Sequence, residues 1–214
     1  HWLRYKLNCS DLPGAQVCIR KNGVIALTRA YGYANNQSRR RMQTRHLCHI
    51  ASHSKMFTSC ALLMLQEGGN LSLNDRLIDH LPALRLHPDK RFKTITLLDL
   101  LSHRAGLFRD GIQPDFWNLE ADFPSPESLL HEIMQARLIY APSTTTKYSN
   151  YGPGLLGLVI AAVSGIPYEA FIKQAILSKL PKNRITINYN TKAKANTFAD
   201  GHSKAFFDGK RLPL

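Results

Sequence analysis

One group of residues in this 214-residue chain has the types and spacing that covalent chemistry needs: Ser52-His53-Ser54-Lys55. A serine hydroxyl becomes a competent nucleophile when a neighbouring base takes its proton, and a lysine serves as that base only when burial or nearby positive charge lowers its pKa. At the start of a helix, the i, i+3 spacing sets Ser52 and Lys55 on one face within mutual reach. The helix N-terminus adds unpaired N–H groups and a positive dipole, which stabilise the oxyanion formed as a substrate carbonyl is attacked. Ser54, adjacent to Lys55, points elsewhere. A tyrosine beside such an ammonium has its phenolate favoured, so it can take a proton from serine and return it to a leaving group. The expected chemistry is acyl transfer, and it implies no metal or organic cofactor.

These residues need elements to hold them. From Ser54 onward, Phe57, Ala61, Leu62 and Leu65 recur at helical intervals and Gly68-Gly69 stops the run, which predicts a helix near 53–67. A second, short helix is expected from Thr96, with Asp99 completing a capping box, to Gly106. Further helical patterns cover Glu127–Ala136, Gly152–Ser164 and Pro167–Leu180, with Gly165-Ile166-Pro167 as a break. Before this helical block, Ala15 to Arg20 and Val24 to Tyr31 read as strands of a hairpin turned by Asn22-Gly23. Arg184–Tyr189 reads as one more strand.

Other candidates rank lower. His46, Cys48, His49 and His53 offer zinc-type donors. A bend from strand to helix in that stretch keeps all four from converging, so no metal is expected. His103 reads as structural, at a helix end before a glycine turn. Cys9, Cys18, Cys48 and Cys60 fall at no scaffold spacing, so no disulfide framework is expected.

The composition suits a globular chain of one or two domains, with 44% hydrophobic residues. The longest apolar runs, such as Gly154 to Val163, are too short to cross a bilayer, and no targeting peptide is legible. The net charge of +13 is concentrated at the two ends, while residues 51–170 are nearly neutral. A basic surface of this kind names no partner, and nucleic acid is not favoured.

The segment Ile50-Ala51-Ser52-His53-Ser54-Lys55-Met56-Phe57-Thr58 resembles the nucleophile segment of the serine β-lactamase-like family: class C β-lactamases, D-alanyl-D-alanine carboxypeptidases and related esterases. Ordered matches extend through Pro13-Gly14, Tyr31 to Asn35, Leu71 to Asp75, Leu81-Pro82 and Leu100 to Leu107. They reach Tyr148-Ser149-Asn150, where the family carries Tyr-x-Asn. The resemblance implies that Ser52 is the nucleophile, that Tyr148 shares proton transfer with Lys55, and that Asn150 binds substrate or positions Lys55. It also implies an α+β, β-lactamase/transpeptidase-like fold, an antiparallel sheet with a helical lobe. Residues 1–50 would supply the first strands, 51–185 the helical lobe, and 186–214 an incomplete return to the sheet. A periplasmic or secreted location is implied by the family alone.

The family's third motif, a strand bearing Lys or His followed by Thr and Gly that lends the second oxyanion N–H, is not found before Leu214. Phe198-Ala199-Asp200-Gly201-His202 resembles the stretch that precedes it, so the chain reads as truncated at both ends, with an unpaired sheet edge able to pair with another chain. The favoured function is hydrolysis of an ester or amide through an acyl-serine. The alternative is a non-catalytic binding or scaffold protein that retains the fold.

Overall fold

The computed structural model describes residues 2–10, 12–111, 124–180, 185, 187 and 197–201. The chain forms two compact units, one from residues 1–50 and 184–214 and one from residues 51–183.

In the first unit a helix, α1 (Trp2–Cys9), precedes the hairpin of β1 (Gly14–Lys21) and β2 (Val24–Asn35), and β3 (Arg40–Arg41) adds to β2. Of the residues of α1 only Leu7 is buried. At the hairpin tip Asn22 and Gly23 both have positive φ, 50° and 79°, as a two-residue turn matched to strand twist requires. Lys21 pairs with Val24 and Ala15 with Tyr31, and the register slips between Ile19 and Arg20. The sheet runs β1-β2-β3, all antiparallel. Towards the tip Ile19, Val24 and Ile25 are 49%, 68% and 62% exposed. Leu47 bridges in parallel to the buried Phe198, and Asp200 accepts from Asn35 at 2.5 Å. Of the strand expected over Arg184–Tyr189, most lies outside the described residues.

The second unit holds α2 (Lys55–Glu67), α3 (Leu77–His80), α4 (Leu97–Leu101), α5 (Pro126–Gln135), α6 (Tyr151–Ser164) and α7 (Tyr168–Ala175). Its core is built around α6, whose Leu155, Leu156, Val159 and Ile160 are fully buried, as is expected of a helix apolar on nearly every face. Ala61, Leu62 and Leu65 of α2, Leu97 and Leu100 of α4, and Ile172 of α7 join the same core. Among the described residues no single helix is long and apolar enough to cross a membrane, although α6 and the segment after it pass that test as a bent pair.

Two helix ends depart from the sequence reading, and the glycine stop of α2 agrees with it. The run expected from residue 53 begins as a 3-10 turn, Ala51–Ser54, and becomes α-helical only at Lys55. At its far end Gly69, at φ 72°, completes the turn that Gly68 starts, with Asn70 N donating to Leu65 O. The helix expected to reach Gly106 stops at Leu101. His103 adopts φ 58°, its N–H donating to Leu100 O while Arg104 N–H donates to Asp99 O, which is the reverse-turn closure normally given to glycine. The capping box itself forms: Thr96 Oγ1 accepts from Asp99 N and the Asp99 carboxylate accepts from Thr96 N.

Candidate active site

Ser52 stands within the 3-10 turn, not on the α-helix proper, so the expected i, i+3 pairing arises from a tighter turn. The preceding residue, Ala51, has φ 43°, a conformation that costs a side-chain-bearing residue on the order of 1–3 kcal/mol. Lys55 Nζ lies 3.3 Å from Ser52 Oγ. Ser54 makes no side-chain cap at the start of α2.

The second group arrives by a different route. The buried Ser149 accepts from Tyr151 N and Gly152 N, capping α6 and fixing the two residues on either side of itself. The irregular stretch before it is laced to the loop after α4. Ser143 N donates to Arg104 O, Lys147 N to His103 O and Asn150 N to Arg109 O. The outcome is that Tyr148 Oη sits 2.8 Å from Ser52 Oγ, and Asn150 Oδ1 accepts from Lys55 Nζ at 2.7 Å. All four sequence-chosen residues therefore meet in one hydrogen-bonded chain within the second unit.

The electrostatics favour ionisation of the phenol. The Lys55 ammonium hydrogen-bonding to it, then the bond with Ser52, hold the Tyr148 hydroxyl below the usual tyrosine range, with partial burial opposing and the Arg109 charge assisting. The Lys55 ammonium lies 5.1 Å and the Arg109 guanidinium 6.0 Å from the centre of the Tyr148 ring. Burial, and to a lesser degree the Lys55 charge, lower the His103 pKa, which favours the neutral imidazole. Its ring lies 4.6 Å from that of Tyr148, and its Nδ1 accepts from Ser149 N at 3.4 Å.

Three participants escaped the sequence reading. His103 was read as structural and holds the turn, yet it also touches Tyr148. Arg109 and Asp110 belong to no motif; Asp110 accepts from Asn150 Nδ2 at 2.6 Å and pairs with Arg109 at 3.3 Å. No spacing rule signals such contacts, because they depend on two loops meeting. Among the described residues no three His, Cys, Asp or Glu side chains are grouped to hold a metal ion. Of the zinc-type donors, His46 Nδ1 accepts from Gln43 N and the Cys48 thiol lies 3.6 Å from Gln16.

Comparison with known proteins agrees with this fold. The family described as Beta-lactamase matches residues 7–212. Protein flp of Staphylococcus aureus is 30% identical over 196 residues, covering 90% of this chain and 39% of that protein. The octameric penicillin-binding protein homologue from Pyrococcus abyssi superimposes with a TM-score of 0.87 at 28% identity, over 100% of this chain and 49% of its own. D-alanine carboxypeptidase AmpC from Burkholderia cenocepacia gives a TM-score of 0.79 at 27% identity, over 99% and 54%. The chain thus spans half or less of the length of the first two and about half of the third. With the match running through nearly every residue, the chain belongs to the beta-lactamase family.

Proposed function

We propose that the protein hydrolyses an ester or amide through an acyl-serine intermediate, with Ser52 as nucleophile. The observation that carries this reading is the position of Ser52 Oγ, 2.8 Å from Tyr148 Oη and 3.3 Å from Lys55 Nζ. Tyr148 as phenolate, favoured by the Lys55 ammonium, takes the Ser52 proton as Oγ attacks the carbonyl carbon. The Ser52 backbone N–H at the turn supplies one oxyanion donor. The proton then passes from Tyr148 to the leaving group, and water, deprotonated by the same pair, releases the acid and restores Ser52. Asn150 holds Lys55 in place and faces the substrate. The substrate class is an activated ester, a β-lactam or a D-alanyl peptide. Likeness to the Pyrococcus penicillin-binding protein homologue and the Burkholderia D-alanine carboxypeptidase favours the last two.

Covalent labelling with a fluorophosphonate and with a penicillin, located by peptide mass spectrometry, tests this. The label is expected on Ser52 and is lost in Ser52→Ala, which retains the fold because a turn serine contributes only about 1 kcal/mol. A label elsewhere, or none on a folded protein, rejects the assignment and favours a binding protein that kept the fold. A second part of the proposal is that the protein pairs with another chain along β1. Among the described residues β1 has β2 as its one neighbour, and the exposed Ile19, Val24 and Ile25 lie on this hairpin.

A further inference from the structure

We infer that Asp110 is a positioning residue that fixes the side-chain amide of Asn150 and, through it, the place of Lys55; this deepens the hydrolase reading and rests on it for its catalytic meaning. A carboxamide has two unlike ends, an oxygen that accepts and an NH2 that donates, and a half-turn about its last torsion exchanges them. One end of the Asn150 amide faces the Asp110 carboxylate at 2.6 Å, and the other faces Lys55 Nζ at 2.7 Å. An ionised carboxylate can only accept and an ammonium can only donate. Only one orientation satisfies both, with Nδ2 toward Asp110 and Oδ1 toward Lys55.

Asp110 is itself held. Arg109 Nε lies 3.3 Å from its second oxygen, and the backbone carbonyl of Arg109 accepts from Asn150 N–H at 2.7 Å. Side chain and backbone of Asn150 are thus tied to consecutive residues of one loop. Without the carboxylate the amide loses the anchor at its NH2 end, and only the bond to Lys55 and the backbone hold Asn150 in place. Lys55 is then less firmly held in the position from which it meets Ser52 Oγ at 3.3 Å.

The test uses the intact protein with Asp110→Ala and Asp110→Asn, read in two ways. In the nuclear magnetic resonance spectrum of 15N-labelled protein, the Asn150 Nδ2 proton bonded to the carboxylate is expected downfield of ordinary carboxamides and slow to exchange. Asp110→Ala removes both properties, while Asp110→Asn, whose amide oxygen can still accept, keeps part of each. In the second reading, acylation of Ser52 by a fluorophosphonate slows about 10- to 100-fold in Asp110→Ala, the range expected when a catalytic group is displaced by around an ångström. The acid limb of its pH profile also moves to higher pH, because a displaced Lys55 no longer holds the Tyr148 hydroxyl below the usual tyrosine range. A merely structural role would lower the melting midpoint and leave that limb in place. An unchanged Asn150 resonance, or an unchanged rate and pH limb in folded Asp110→Ala, overturns the inference. If wild-type Ser52 takes no label, the hydrolase reading fails, and the resonance alone still decides whether Asp110 sets the amide.

Discussion

At the scale of single residues, Tyr148 is where the environment acts most on chemistry. Its hydroxyl is held below the usual range chiefly by Lys55, so its phenolate begins to form at lower pH than that of an ordinary tyrosine. Removing the ammonium in Lys55→Met takes away the leading cause, and the folded-state pKa should rise. Ultraviolet titration, with Tyr148→Phe as the blank, is expected to show the phenolate band emerging at higher pH in Lys55→Met than in the wild type. Coincident titrations would mean that Lys55 does not set this proton's affinity. Ser52, Lys55, Tyr148 and Asn150 were legible in the sequence because each lies in a short motif whose spacing is set by a local turn. Asp110 and Arg109 were not, since their roles come from the loop after α4 running beside the residues that precede α6.

At the scale of elements, Asp99 does more than cap a short helix. Its buried carboxylate accepts from Thr96 N at 3.0 Å and from Thr96 Oγ1 at 2.8 Å, and from Ser143 Oγ at 2.5 Å. It therefore ties α4 to the very stretch that leads to Tyr148. Asp99→Ala leaves the partly buried Thr96 donors and the Ser143 hydroxyl without this acceptor, at a total cost of about 1–3 kcal/mol. Urea unfolding should show a loss of that order, with a smaller loss in Asp99→Asn, which keeps one acceptor oxygen. A midpoint unchanged in Asp99→Ala would remove Asp99 from this role. The capping box was legible because Thr96 and Asp99 are three residues apart and interact locally. The helix stop was misplaced because sequence favours glycine for a left-handed residue, and His103 takes that conformation with its ring packed on Tyr148. Likewise the 3-10 turn at Ala51–Ser54 leaves no mark on hydrophobic spacing.

At the scale of the whole molecule, the four candidate residues and the loop that holds them all fall within residues 51–183, a continuous stretch with its own core. The other unit gathers both basic ends of the chain, and so nearly all of the net charge of +13. It also carries the exposed Ile19, Val24 and Ile25 near the hairpin tip. Apolar side chains at a sheet edge favour association, and like charge on the same unit opposes it. The balance between them is a colloidal property governed by ionic strength. At low salt, repulsion reaches across tens of ångströms and keeps molecules apart; near 0.1 M the screening length falls to about 10 Å and the apolar edges can meet. Sedimentation is therefore expected to show a species that grows heavier as salt is added, the reverse of an assembly held by ion pairs. Ile25→Lys should stay light at every salt concentration, and if it associates as the wild type does, the hairpin is not the surface through which chains meet.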